Sequence, residues 1–293
     1  MSELLIRQPA VAGQFYPGDR VSCVRMIEQC LPAGPGFDFP DKPEKIVAGL
    51  APHAGWVFSG AIAAKVFAAI QTQGSPETFV LLSAMHGWGA SRPSVYARGR
   101  WATPLGEVNV DEELASAILE AGDGLLVNAP EAHSGEHSAE VQVPFIQHLF
   151  PEARILPILI PPDENAARTG DIIGQAVGAA QRPVAIVGTT DLTHYGRTYY
   201  GFAPAGAGER ALKWARANDE RVINLILEMQ AEKIVAETSA HRNACGGGAV
   251  AGTVAAARTL GAEKGYLLEH TTSYDVMPQG EATDFVGYAA IVF

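Results

Sequence analysis

Three short apolar segments of this chain each lead into side chains that can bind a metal or transfer a proton. The segments are 46–52, 78–85 and 183–190, followed respectively by His53, by His86, and by Asp191 and His194. Neutral imidazoles bind divalent Fe, Zn, Cu or Ni, and imidazole and carboxylate groups also serve as general acids and bases. The pattern therefore indicates a metal or acid–base site, with a packed, hydrogen-bonded histidine as the alternative at each position.

A metal at the two histidines needs a third ligand, and the candidates are Cys245, Asp191 and His194. Cys245 precedes three consecutive glycines and a segment rich in small residues, 246–260, that is predicted to be helical. A thiol at a helix N-terminus lies at the positive end of the helix dipole, which favours the thiolate, the form that attacks electrophiles and binds metals. A small buried hydrophobe is the alternative. Cys23 and Cys30 lie on a predicted amphipathic helix and are expected to be packing residues.

Asp191 and His194 are three residues apart in the sequence Asp-Leu-Thr-His. A helical turn that began at Asp191 would place both side chains on one face. His194 would then be an acid–base group at the rim of a pocket, and Asp191 would orient it or the substrate. Helix capping is the alternative role for Asp191.

The segment from His133 to His137 has the H-x-x-E-H order of the inverted zinc peptidases. That motif needs both histidines on one helix face, but the intervening Ser134 and Gly135 are poor helix-interior residues. We therefore expect no zinc-peptidase helix, and Ser138 is predicted to start the next helix. The segment is then either a polar loop that caps this helix or part of the pocket that contains His53.

Alternating apolar runs and helical patterns predict the elements that position these residues. Such alternation is typical of parallel strands, which form ligand sites beyond their carboxyl ends. Besides the three segments above, strands are predicted at 94–101, 154–160, 265–271 and 285–293, and helices at 20–31, 58–73 with Ser59 as cap, 111–122, 138–149, 164–180, 206–238 with one break, and 246–260. The pattern predicts an α/β sandwich with a mixed, largely parallel sheet, and a single domain over residues 1–293.

Composition and charge exclude several classes of function. The 293 residues carry a formal net charge of −11 and no run of Lys or Arg, which argues against nucleic-acid or anionic-membrane binding. No apolar stretch approaches the roughly 18–20 residues of a membrane helix, and the N-terminus lacks the pattern of a secretory signal. Three cysteines fit free thiols in a reducing compartment, so a cytoplasmic location is expected.

Taken in order, several segments resemble the Memo family (mediator of cell motility, with its bacterial and archaeal relatives). They are 7–17, 51–60, 103–108, 131–144 and 189–196. The resemblance implies a fold similar to that of the class III extradiol dioxygenases, in which two histidines and a carboxylate hold non-haem Fe(II). In bacteria and archaea it also implies association with a radical-SAM protein and an AMMECR-type protein, as the three-component AmmeMemoRadiSam system.

The resemblance also assigns residues to a pocket. The family's two histidines and cysteine fall on His53, His86 and Cys245, and its Asp-x-x-His pair falls on Asp191 and His194. The chain departs from the family pattern where Ser-Ala-Met precedes His86, in place of Gly-Pro-Ser, and where three glycines follow Cys245. The presumed ligands are kept, but the shape of the pocket is expected to differ.

Three hypotheses for function follow. The first is a metal-binding, dioxygenase-like protein, an oxidoreductase if it is an enzyme, with His53, His86 and Cys245 as ligands of Fe(II), or of Cu or Zn as alternatives. The second is a module that uses the same pocket to bind a peptide or protein without catalysis. The third is a cysteine hydrolase with Cys245 as nucleophile, His194 as base and Asp191 as orienter. The expected occupant of the pocket is a small molecule or a peptide.

Overall fold

A computed structural model describes residues 5–33, 39, 42–87 and 91–293 of the chain. The strands of this part are β1 (Ile6–Arg7), β2 (Ala48–Ala51), β3 (Thr78–Ser83), β4 (Ser94–Val95), β5 (Arg100–Thr103), β6 (Gly106–Asn109), β7 (Val127–Asn128), β8 (Arg154–Leu159), β9 (Val184–Thr189), β10 (His194–Gly196), β11 (Tyr266–Thr272) and β12 (Asp284–Val292). The helices are α1 (Arg20–Cys30), α2 (Trp56–Gln71), α3 (Glu112–Ala121), α4 (Val143–Leu149), α5 (Ala166–Ala179), α6 (Glu209–Leu227), α7 (Ala231–His241), α8 (Gly247–Thr259) and α9 (Ser273–Val276). Two short 3-10 helices occupy Pro130–His133 and Glu140–Gln142.

The predicted α/β fold with a mixed sheet is confirmed. The larger sheet has the order β10-β12-β2-β9-β3-β8-β4-β7, with β11 also paired to β12. Its centre, β2-β9-β3-β8, is parallel, whereas β12 runs antiparallel to β2 and β4 antiparallel to β8. The smaller sheet contains β1, β5 and β6. Because parallel strands share their carboxyl ends, the residues that follow β2, β3 and β9 meet at one edge of the large sheet.

Helices cover both faces of the parallel centre, which is why its strands are mostly apolar. On one face α2 packs against β2 and β12, and a Cβ placed on Gly49 of β2 would meet Val66 of α2. On the other face α8 packs against β2, β3 and β9, and a Cβ on Gly188 would meet Thr253 of α8. No helix in the described part of the chain is long and apolar enough to cross a membrane.

Three local predictions are wrong in detail. Ser59 does not cap α2, because that helix begins at Trp56 and the Ser59 hydroxyl donates to the Ala54 carbonyl at 2.9 Å. The predicted helix 138–149 starts with a 3-10 turn, and α-helical geometry begins only at Val143. The predicted strand 94–101 is divided between β4 and β5, which lie in different sheets, because Gly99 between them has a φ of +93°.

Helices α5 and α8 approach each other closely through glycine. A Cβ on Gly170 of α5 would overlap the backbone of Gly252 in α8. Gly178, two turns further along α5, is exposed, and the nearest atom to its Cβ would be Leu260 Cδ2 at 3.5 Å. The same helix therefore offers one glycine that packing requires and one that it does not.

We expect Gly170→Ala to lower the free energy of unfolding by about 1–3 kcal/mol, because the added methyl group overfills the α5–α8 contact. The matched control Gly178→Ala is expected to raise it by up to about 1 kcal/mol, since alanine has the higher helix propensity. Urea denaturation of both variants measures the difference. Equal effects at the two positions would contradict the packing argument.

Candidate metal centre

His53 lies at the carboxyl end of β2, in a turn held by two buried side chains. Its backbone N–H donates to Asp191 Oδ1 at 2.8 Å, and Gln142 Nε2 donates to the carbonyl oxygen of Pro52 at 2.8 Å. The imidazole is buried, and its Nε2 lies 3.1 Å from Cys245 Sγ. Burial, and then the electrostatic effect of the neighbouring His86 and His137 imidazoles, keep the pKa of His53 well below its usual value. His53 is therefore a neutral imidazole, the form that binds metals.

His86 follows β3 and is positioned by Glu136. The Glu136 carboxylate accepts the backbone N–H of His86 at 2.8 Å and contacts His86 Nδ1 at 3.0 Å. A carboxylate at Nδ1 fixes the tautomer with the proton on that nitrogen and leaves Nε2 as the acceptor or ligand. Gly87 and Gly89 follow His86 in the sequence, and Gly89 lies outside the described residues.

Charges around His86 favour a cation at this position. Burial lowers the pKa of His86, but hydrogen bonds with Cys245 and Glu136 outweigh it and bring the pKa to about 10. Burial likewise raises the pKa of Glu136, yet its bonds to His86 and Ser138 pull it well below the usual range. A thiol and a carboxylate thus stabilise positive charge between them, whether that charge is a proton or a metal ion.

His137 completes a group of three imidazoles. Its ring stacks on that of His86 with centroids 4.8 Å apart and lies 5.4 Å from the ring of His53. One potential ligand nitrogen from each of the three lies within 4.8 Å of the others. Two atoms bound to one ion at about 2.0–2.3 Å are at most about 4.6 Å apart, so these separations are close to those of a single metal site.

Cys245 lies next to this group at the start of α8, as its position before the glycines predicts. The cap residue of α8 is Gly246, whose N–H donates to Thr190 Oγ1 at 3.0 Å. The backbone N–H of Cys245 donates to the Asp191 carbonyl oxygen at 3.2 Å. The structure therefore brings together His53, His86 and Cys245, the three side chains that the sequence analysis combined; their role as metal ligands stays a prediction.

Asp191 and His194 lie beside the same group but not on a helix. The expected helical turn is wrong, because His194 begins strand β10, which pairs with β12. His194 Nε2 is still 4.0 Å from Asp191 Oδ2, and its ring packs edge-on against Tyr200. Burial raises the pKa of Asp191 to about 7 and, together with the charges of His86 and Arg242, lowers that of His194 to about 4.

The H-x-x-E-H segment is not a helix, as predicted. His133 ends a 3-10 helix, is fully buried, and contacts the carbonyl oxygen of Ser94 through Nε2 at 3.0 Å. His137 instead lies against His53 and His86. Of the two interpretations of this segment, a capping loop or a part of the His53 pocket, the second fits His137. Ser138 does not start a helix; its N–H donates to Glu136 Oε1 at 2.9 Å. The supporting role of Glu136 is not predicted from the sequence, because no regular pattern marks it.

Arg7 holds this irregular segment in place. Its buried guanidinium donates to the carbonyl oxygens of His133 and Glu136 and to Glu140 Oε2, at 2.7–2.8 Å. Glu140 also accepts hydrogen bonds from the backbone of residues 10 and 11 and from the Tyr16 hydroxyl. The first residues of the fold are thereby tied to the segment that carries Glu136 and His137.

A cavity of about 720 Å³ opens over the imidazoles. Its floor contains His53, His86, His137, Asp191 and His194. Its walls include the aromatic side chains Phe15, Phe58, Tyr199, Tyr200, Tyr274, Phe285 and Tyr288. Cys245 lines a second cavity of about 350 Å³, together with His194 and Arg242.

A family model and curated relatives both match this chain to the Memo family. A family model described as "Memo-like protein" matches residues 7–292. MEMO1 family proteins of Thermococcus onnurineus and Nitrosopumilus maritimus are 40% and 38% identical and align over 99% of this chain and 99–100% of their own. The structure of an uncharacterized protein of Escherichia coli K12 superposes with a TM-score of 0.51 at 15% identity, covering 85% of this chain and all of that one, which shows a shared fold.

We expect Arg7→Met to lower the free energy of unfolding by about 3–5 kcal/mol, because it leaves the buried Glu140 carboxylate without its cationic partner. The control is Arg100→Met, which breaks an exposed pair with Glu107 at 2.9 Å and is expected to cost less than about 1 kcal/mol. Chemical denaturation of both variants tests this. A small effect at both positions would show that Arg7 does not anchor the segment.

Proposed function

Because this chain belongs to the Memo family, we propose that it binds a divalent metal ion at the floor of the large cavity and is an oxidoreductase of the dioxygenase-like kind. The observation that carries the proposal is the group of His53, His86 and Cys245, with His137 beside them. Two of its members follow the ends of parallel strands and a third precedes a helix, so rigid elements position them. We propose His53, His86 and Cys245 as ligands and His137 as a further donor.

The donor set fits a metal on chemical grounds. Buried His53 Nδ1 has no hydrogen-bond partner among the described residues, and its Nε2 contacts the Cys245 thiol, so a ring nitrogen is available to an ion. Glu136 holds the His86 ring as carboxylates hold the histidine ligands of metals. Imidazole and thiolate together suit Fe(II), Cu and Zn, and of these Fe(II) or Cu would supply redox chemistry. We favour Fe(II).

His194 and Asp191 are proposed to act on the substrate. Both line the floor of the cavity, and Asp191 Oδ2 lies within 4.0 Å of His194 Nε2. His194 would accept or donate a proton at Nε2, which has no hydrogen-bond partner in the described part of the chain. Asp191 would hold the turn of His53 through its Oδ1 and face His194 with the other oxygen.

The cysteine-hydrolase alternative fits the geometry less well. It requires His194 as the base of Cys245, but the imidazoles that interact with the thiol are those of His53, at 3.1 Å, and His86. The Asp191 carboxylate accepts the backbone N–H of His53 and therefore does not orient that ring. The partnership with a radical-SAM protein and an AMMECR-type protein stays a prediction.

We expect protein purified without oxygen to contain a single metal ion per chain. Cys245→Ser and His86→Ala should lose most of it to a competing chelator, and Glu136→Gln should weaken its binding by about 10–100-fold. His194→Ala is the matched histidine control and should keep the metal while changing any reaction. Plasma mass spectrometry measures the metal content. Full occupancy in Cys245→Ser would exclude the cysteine as a ligand, and a metal-free wild type that takes up none of the three metals would overturn the proposal.

A labelling experiment separates the metal site from the hydrolase. We expect iodoacetamide at pH 8 to modify Cys245 alone in the folded protein, since burial raises the pKa of Cys23 to about 12 and that of Cys30 to about 11. Added Fe(II) or Zn should slow the labelling of Cys245 by occupying its sulfur. The hydrolase predicts instead that His194→Ala slows labelling and that metal has no effect.

A further inference from the structure

The mouth of the large cavity differs in character from its floor. Three tyrosines, Tyr199, Tyr200 and Tyr274, lie there together with the carboxylates of Asp284 and Glu281. Among the described residues that line this cavity there is no Lys or Arg. The mouth therefore combines aromatic surfaces with two carboxylates that no Lys or Arg of the cavity lining neutralises.

The tyrosines present flat apolar surfaces to an occupant. Tyr200 packs edge-on against His194 with ring centroids 5.0 Å apart, and the ring of Tyr199 lies 6.4 Å from that of Tyr200. The Tyr274 hydroxyl donates to the Gly280 carbonyl oxygen at 2.8 Å, which fixes the direction of its ring. Tyr199 is 79% exposed, a large apolar area for a side chain at a cavity mouth. Aromatic surfaces of this kind stack against planar groups.

The acidic groups give the mouth a negative field. Asp284 Oδ1 accepts the backbone N–H groups of Thr198 and Tyr199 at 3.1 and 3.2 Å, so the carboxylate is fixed beside the tyrosines. Burial raises the pKa of Tyr200, and the charges of Asp191 and Asp284 raise it further. Arg242, the arginine on the far side of His194, lines the smaller cavity and stacks on Phe202 with Cζ 4.7 Å from the ring centroid.

We propose that the substrate of this cavity is a planar aromatic molecule that carries an ammonium group. Its ring would lie between the aromatic walls, and its ammonium would lie at the mouth, between Asp284, Glu281 and the tyrosine faces. Ammonium groups bind to carboxylates and to aromatic faces, and both are present here. Anionic ligands such as carboxylates and phosphates are disfavoured at this mouth, where they would meet like charge. This inference rests on the proposed function, since it names the substrate class of the same site.

Three phenols of similar size test the charge preference. They are tyramine, which is cationic, 4-ethylphenol, which is neutral, and 3-(4-hydroxyphenyl)propionate, which is anionic. We expect tyramine to bind about tenfold more tightly than the anion, because its ammonium group contacts the carboxylates and the aromatic faces. The affinity of 4-ethylphenol should lie between the two. Calorimetry at pH 7 on the protein as purified, with its metal content measured, gives the three affinities.

Variants of the mouth locate the effect. Asp284→Asn keeps an oxygen for the Thr198 and Tyr199 N–H groups while removing the charge, and Glu281→Gln does the same for the second carboxylate. The double variant should lose the preference for tyramine over the anion, and the control Glu107→Gln, on the small sheet, should retain it.

Two outcomes would overturn the inference. One is binding of the anion as tight as that of tyramine, and the other is no binding of any of the three phenols. Metal content reports the proposed function separately. If the protein binds tyramine selectively but takes up no metal, the substrate class is supported and the metal centre is contradicted. If it binds metal but shows no charge preference, the metal centre is supported and the substrate class is contradicted.

Discussion

The contact of Arg7 with the segment 133–140 is the constraint on which the rest of the site depends. That segment has no regular ladder of backbone hydrogen bonds, so its shape is set by the guanidinium on two of its carbonyl oxygens and on Glu140. It carries Glu136, which orients His86, and His137, which stacks on it. Two side chains that are 133 positions apart in the sequence thus fix an irregular segment in a functional position.

The other half of the site depends on the parallel sheet. Parallel neighbours bring the ends of β2, β9 and β3 to one edge, so His53, Asp191 and His86 meet although they are far apart in the chain. Glycines in α8 then let that helix approach the sheet and α5 closely, which places Cys245 at the edge. A regular scaffold therefore supplies two imidazoles and a thiol, and an irregular loop supplies a third imidazole and the supporting carboxylate.

The parts that the sequence predicts are those with a regular pattern. Apolar runs identify the strands before His53 and His86, and the glycines mark the helix after Cys245, because each signal is local. The glycines after Cys245 made it one of three candidates for the third ligand, and the family resemblance selected it. Spacing alone cannot predict a contact with His53 across 192 positions. The segment 134–139 has no period, so the positions of Glu136 and His137 could not be read from it. The expected turn at Asp191 failed because pairing with β12 extends His194 into a strand.

The imidazoles and the thiol of the site line different cavities. The imidazoles face the large cavity, whereas Cys245 is among the lining residues of the small one, and His194 belongs to both. The thiol and the imidazoles are therefore bordered by two different open spaces, and His194 borders both. A molecule held between the tyrosines would leave the small cavity beside Arg242, and the sulfur that lines it, uncovered. Access to the thiol and occupancy of the large cavity therefore depend on different lining residues, apart from the shared His194.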